Sequence, residues 1–254
     1  MFQKMNTVID RIMNHRSIRK FKNEKLSEEQ IHTIIQAAQM ASSSRFMQNY
    51  SIIGVSDPQI KKRLHQLTGK ESVEVNGHFL IFCADLHRIT LMATEEEKQK
   101  MRIMLESTQF FQIATIDAAL AAQNAALSAE SMGLEIVYIG AISNHLEEID
   151  KMLQLPDYVV PLFGMCIGVP TVKPEQKPRL PLKSVYFENH YNQNAGEQRQ
   201  LIQAYDEQMY HYYGTRTKNN SSHTWSQKNI TLFQGKSPLE NISSYVQNKK
   251  LNRY

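Results

Sequence analysis

Two groups of residues in this chain have the types and spacing to do chemistry. His15-Arg16-Ser17-Ile18-Arg19 sets three potential cations and a hydroxyl side by side. Lys177 and Arg179 form a second basic pair far along the chain, in a stretch interrupted by Pro170, Pro174, Pro178 and Pro181. A helix that merely ends in cations would look like the first group, because positive charge suits a helix C-terminus. The second cluster changes the reading: two rigidly placed basic clusters suit one bound phosphate, where charge-assisted hydrogen bonds are strong. Between them, Ser42-Ser43-Ser44 followed by Arg45 and Phe46 makes a polar loop rich in hydroxyl and amide donors, either a linker or a ligand-facing loop.

Other chemistries lack their motifs. No G-x-G-x-x-G follows a strand, and there is no G-x-x-x-x-G-K-[ST], so neither a Rossmann nor a P-loop nucleotide site is indicated. There is no G-x-S-x-G. The 9 histidines are scattered without H-E-x-x-H or Cys/His metal spacing. The 2 cysteines, Cys83 and Cys166, each sit in an apolar run and read as buried, reduced thiols. An enzyme without protein-supplied nucleophiles or metals leaves its chemistry to a cofactor.

The elements that position these groups follow from periodicity. Met5, Val8, Ile9, Ile12 and Met13 recur at helical spacing and put the basic stretch at a helix end. Ser27 and Gln30 form a capping box for a helix burying Ile31, Ile34, Ile35 and Ala38. Residues 50–55 read as a strand. Asp57-Pro58 starts a helix that Gly69 ends. Phe79–Ala84 reads as a strand covered on both faces. Residues 86–105 are charged and weakly patterned, a helix or a mobile surface excursion.

Residues 107–132 form the strongest helix, with alanines on all sides and Gly133 as its stop. A helix apolar nearly all round is buried, here within its own subunit and against another. Strands follow at 135–139 and 158–168, with a helix opened by Asn144 between them. From Ser184 the composition turns to Asn, Gln, Tyr and charge. Residues 197–213 look helical, and 225–254 hold scattered apolar residues. Such a tail cannot bury a core of its own and is expected to wrap the main domain or a partner subunit.

Whole-chain properties bound the function. With 254 residues and 41% hydrophobic content the chain can bury a sizeable core. A net charge of +4, spread diffusely, argues against nucleic acid as partner. No apolar run reaches the ~18–20 residues that span a bilayer, and charges interrupt every apolar run near the N-terminus, unlike a signal peptide. The expectation is a cytoplasmic protein without a membrane partner.

His15–Arg19, the serine loop, Val137-Tyr138-Ile139-Gly140 and Lys177-Pro178-Arg179-Leu180-Pro181 occur in the order and spacing of the nitroreductase family. The tail, with Tyr205-Asp206-Glu207, Tyr212-Tyr213, Thr215-Arg216 and Thr224-Trp225-Ser226, resembles its larger NADPH-dependent flavin reductase and oxygen-insensitive nitroreductase group. The resemblance implies an α+β nitroreductase-like fold. Its central sheet would be mixed, mainly antiparallel and flanked by helices, in an intertwined homodimer with one FMN per subunit. Residues 1–183 would form the FMN-binding core, and 184–254 an extension carrying the NADPH loop.

The implied reaction is ping-pong: hydride from NADPH, or NADH, to FMN, then transfer to nitroaromatics, quinones, flavins or similar small-molecule acceptors. FMN itself carries the chemistry, with no protein catalytic residue and no metal. A flavin-binding redox sensor without turnover and a cofactor-free interaction protein are the alternatives.

By the same resemblance His15, Arg16, Ser17 and Arg19 match the FMN-binding stretch. Arg19, Lys177 and Arg179 would surround the phosphate, and Ser43 would lie near the ribityl or phosphate end. Tyr138, Ile139, Gly140 and Ala141 would present backbone to the isoalloxazine, with Arg16 as the candidate to stabilise charge at N1 and O2. Two positions depart from the family pattern: Ala141 replaces a frequent Gly, and Glu71 a frequent Gln beside the ring, where a carboxylate would oppose an anionic reduced flavin. Arg216 matches an arginine that reads the NADPH 2′-phosphate. A second arginine is missing from Asn219-Asn220-Ser221-Ser222, so a weakened preference over NADH is expected.

Overall fold

The structure, a computed structural model, describes residues 7–215, 223–235 and 241–254. The helices among these residues are α1 (Thr7–Met13), α2 (Glu28–Gln39), α3 (Pro58–Thr68), α4 (Glu71–Glu74), α5 (Glu95–Leu105), α6 (Thr108–Ser131), α7 (Leu146–Leu153), α8 (Ala195–Gly214), α9 (Trp225–Gln234) and α10 (Ile242–Asn248). The strands are β1 (Tyr50–Val55), β2 (His78–Asp85), β3 (Glu135–Ile139) and β4 (Val159–Gly168). They form one sheet in the order β1-β2-β4-β3, antiparallel at every pairing.

Strand alternation divides the core into two layers. Leu80, Phe82, Ile136, Met165 and Ile167 face one way and meet α2 and the alanines of α6. Phe79, Ile81, Cys83, Val137, Ile139 and Cys166 face the other way and meet Leu64 of α3, Val73 of α4 and Ile149 of α7. With both faces covered, β2 reads as an unbroken apolar run rather than an alternating one. Gly164 makes room for this packing: a Cβ there would lie 2.4 Å from the Phe79 ring. Ala114, Ala118, Ala121, Ala122, Ala125, Ala126 and Ala129 are all buried, and their small side chains let α6 approach α2 and the sheet closely.

The local signals behave as their chemistry requires. Ser27 and Gln30 form the reciprocal capping box of α2. Asp57 accepts from the Gln59 and Ile60 amides at the start of α3, and Gly69 closes it at φ 64° in the left-handed region. Burial pushes both cysteine thiols up to about 12, so neither is a reactive thiolate.

Several expectations change. The basic stretch does not cap a helix: α1 stops at Met13 and His15–Lys20 run on outside any helix. Asn144 does not open α7, which begins at Leu146 behind His145, after a 3₁₀ turn at Gly140–His145. Residues 86–105 resolve into a 3₁₀ turn (Arg88–Met92) and α5, whose start Thr94 and Glu97 fix with a capping box. The α1 apolar stripe is not buried: Val8, Ile9, Ile12 and Met13 are all exposed.

The chain divides into two compact units, Met1–Pro174 with Leu239–Tyr254, and Glu175–Pro238. This division falls before the expected boundary at 183/184, and the last residues return to the first unit. There Tyr245, Val246 and Leu251 are buried against Leu86, Leu105 and Val160. In the second unit α8 buries Tyr205 and Met209 alone, and α9 buries nothing. Asp206 accepts the Ser226 amide at 2.8 Å, Tyr205 stacks edge-on against Trp225 at 5.9 Å, and its hydroxyl donates to the Pro178 carbonyl at 2.9 Å. The tyrosines and Thr224-Trp225-Ser226 thus tie this unit together.

Candidate functional site

In the first unit the basic stretch is fixed by its backbone. The Ile18 amide donates to the Ile136 carbonyl at 3.0 Å, and Lys22 donates to Val169 at 2.9 Å. Ile18 and Phe21 are buried in the sheet's second layer, which leaves His15, Arg16 and Ser17 half-buried and Arg19 exposed. The stretch therefore lies along the edge of β3, which ends at Ile139 just before Gly140. Gly140 is exposed, and a Cβ built on it would meet nothing within 4 Å. Ile18 thus shares a core layer with Val137 and Ile139, against which Ala141 packs.

The electrostatics of this edge are incomplete. Arg16 Nη1 donates to the Asn14 carbonyl at 3.1 Å, but its buried Nε has no hydrogen-bond partner among the described residues. A buried, unsatisfied guanidinium nitrogen is costly unless a ligand supplies the acceptor. Among the described residues no carboxylate lies within ion-pair distance of Arg16 or Arg19. His15 differs: its Nδ1 lies 2.5 Å from Glu130 Oε1. Burial, with the Glu130 charge second, pushes the Tyr138 phenol well above its ordinary range. Arg19 and Glu71 line one small cavity of about 120 Å³ with Phe21 and Thr171. The carboxylate that seemed out of place beside a flavin thus has a guanidinium on the same cavity wall.

The serine loop is held from beneath by a residue that sequence reasoning missed. Asp117, buried on α6, accepts the Ser44 amide at 3.0 Å, the Asn49 amide at 3.2 Å and Asn49 Nδ2 at 3.3 Å. Ser43 Oγ accepts the Gln48 amide at 3.2 Å. Arg45, Phe46 and Gln48 all have positive φ, at 50°, 59° and 54°. Non-glycine residues in that region cost roughly 1–2 kcal/mol each and persist only where surroundings over-determine them. An aspartate in the middle of an alanine-rich helix was the available signal.

In the second unit Lys177 and Arg179 lie in the proline-interrupted segment, both exposed and neither within ion-pair distance of a carboxylate among the described residues. Lys177 Nζ lies 5.5 Å from the Tyr213 ring centre, and Lys228 Nζ, also missed, only 3.6 Å. Burial alone would raise the Tyr213 phenol; hydrogen bonds and charge from Lys177 and Lys228 outweigh it and lower the pKa. Lys228 follows Trp225 by one helical turn, too common a pattern to have marked it. Arg216 and residues 218–222 lie outside the described residues.

Comparison with known proteins identifies relatives along nearly the whole chain. The nitroreductase family model matches residues 12–169, and that of the nitroreductase family C-terminal domain matches 177–254. An FMN reductase (NADPH) of Bacillus subtilis is 46% identical over 250 residues, covering 98% of this chain and 100% of that protein. An NADPH-dependent oxidoreductase of Staphylococcus haemolyticus is 41% identical over 92% of this chain and 93% of its own. The structure of B. megaterium NfrA1 superposes with a TM-score of 0.94 at 46% identity, covering 98% of this chain and 100% of that one. The NADPH:FMN oxidoreductase from Vibrio harveyi, complexed with NAD+, does so at 0.87 and 38% identity, over 98% and 100%. In sequence along nearly its whole length, and in fold, this chain belongs to the nitroreductase family.

Proposed function

We propose that this protein is an FMN-dependent NADPH oxidoreductase that passes two electrons in a ping-pong cycle to small acceptors such as nitroaromatics, quinones or free flavin. The observation that carries the reading is a pair of cations beside an open backbone: among the described residues Arg16 Nε has no hydrogen-bond partner and Arg19 no carboxylate within ion-pair distance, in the stretch that bonds the β3 edge ahead of Gly140. Such a set fits a flat, phosphate-bearing ligand, and relatives named as FMN and NADPH enzymes support the identification.

FMN, when bound, supplies the chemistry by accepting a hydride from the nicotinamide and passing electrons to the second substrate. The protein's residues bind and orient. Arg19 in the first unit, and Lys177 and Arg179 in the second, are each candidates to bind phosphate, and Ser17 and Ser43 would offer hydroxyls. Tyr138, Ile139, Gly140 and Ala141 would give a backbone face to the ring. Arg16 would sit where negative charge accumulates, and Arg19 would offset Glu71. Arg216 would contact the NADPH 2′-phosphate, with a modest margin over NADH because a single ion pair is worth about 1 kcal/mol.

The proposal includes a homodimer. The large apolar side chains of Ile116 and Leu120 are exposed on α6, and the α1 stripe and the second unit's Leu232 and Phe233 are exposed as well.

Titration of apo-protein with FMN and with riboflavin, followed by flavin fluorescence, tests the site. FMN is expected to bind much more tightly than riboflavin, with the difference shrinking in Arg179→Ala. Equal affinity for the two would remove the phosphate clamp.

A further inference from the structure

Glu130 stands where local rules disfavour it. It is buried, it occupies the last turn of α6, and that turn holds no basic residue. Burial penalises a carboxylate and so does the negative end of a helix dipole. A residue that breaks two local rules needs a compensating partner, and such positions gather at functional sites. Its partner is His15, at 2.5 Å from Nδ1. The Glu130 side chain is 9% exposed and that of His15 28%, so the carboxylate lies beneath the ring and the ring faces outward.

We propose that Glu130 is a positioning residue for cofactor binding: it accepts a hydrogen bond from the protonated His15 Nδ1, locks the imidazole in one tautomer and orientation, and leaves Nε2 as the nitrogen offered to FMN. The inference rests on the reading of His15–Arg19 as part of the FMN site. A carboxylate that orients an imidazole through one nitrogen fixes what the other can do. Without Glu130, His15 would be free to rotate about its side-chain bonds and to exchange tautomers, and binding would have to order it.

A double-mutant cycle tests the assignment. FMN affinity is measured by flavin fluorescence quenching on apo-protein for the wild type, Glu130→Gln, His15→Ala and the double variant. Glu130→Gln is expected to weaken FMN binding about tenfold, the scale for losing a hydrogen bond to a charged group. In the His15→Ala background the same change should have no further effect. An equal loss in both backgrounds, or none in either, would overturn the proposal, because a merely structural role adds independently. Ring ¹⁵N NMR of His15 in the unmodified protein gives a readout that needs no variant: Nδ1 carries the proton if the proposal holds, and a bare Nδ1 contradicts it. A wild-type protein that binds no FMN would sink the functional reading, while the NMR result would still judge the Glu130–His15 pairing.

Discussion

The Ser44 amide donates to the Asp117 carboxylate at 3.0 Å across 73 positions of sequence. Through this bond the central helix α6 fixes the loop that carries Ser43. With Asn49 on the same carboxylate, the loop keeps three left-handed non-glycine residues in place.

Asp117→Ala should therefore do double damage. It strands the Ser44 and Asn49 amides, a destabilisation of about 3 kcal/mol, and frees the loop to leave the left-handed conformation that holds Ser43 in place. Thermal unfolding of the apo-protein should show it as a lowered Tm, and FMN affinity should fall in the same variant. A variant with unchanged Tm and FMN affinity would mean that the loop holds itself.

The Tyr213 phenol has a predicted pH signature. Lys177 and Lys228 favour the phenolate, so the folded protein titrates Tyr213 below an ordinary tyrosine. Lys228→Gln removes one of the two cations and should move that titration to higher pH. Carbon-13 NMR of tyrosine Cζ, assigned with Tyr213→Phe, reads the shift; no movement would place Lys228 away from the ring.

Much of this was legible in the chain. The four strands, the capping boxes and the alanine-rich helix follow from period and cap chemistry, which are local. The candidate site was read from clusters of cations, because His15–Arg19 and Lys177–Arg179 stand out by charge. What was not legible depends on contacts between distant positions. Asp117 and Glu130 look like solubilising residues on a helix until the fold sets Ser44 and His15 against them. The carboxyl-terminal residues read as wrapping another surface, but which surface was not legible: Tyr245, Val246 and Leu251 complete a core whose other buried members are Leu86 and residues of β2, α5, α6, α7 and β4.

Glu71 sets a redox expectation. A carboxylate near the flavin opposes added negative charge, and Arg19 on the same cavity wall offsets part of it. Glu71→Gln should raise the midpoint potential of bound FMN by about 20 mV, the equivalent of roughly 1 kcal/mol for two electrons. Spectroelectrochemical titration measures it, and a lowered or unchanged potential would move Glu71 away from the ring.

The assembly is tested at α6. Ile116 and Leu120 are large apolar side chains on α6, 48% and 45% exposed. If they meet a second copy, the interface should exceed ~2,000 Å², as obligate dimers do. Light scattering should then give a dimer for the natural protein and a lower mass or aggregation for Ile116→Glu with Leu120→Glu. A natural protein that runs as a monomer with FMN bound would reject the dimer.

The central claim is that bound FMN takes electrons from NADPH and later gives them to a separate acceptor. Anaerobic mixing of the FMN-loaded protein with one equivalent of NADPH, in the absence of any acceptor, tests it most directly. The account predicts that the flavin's visible absorbance bleaches rapidly, and that a quinone added after removal of the nicotinamide restores it one for one. Flavin that stays coloured under NADPH, or that bleaches only when both substrates are present, would contradict the account.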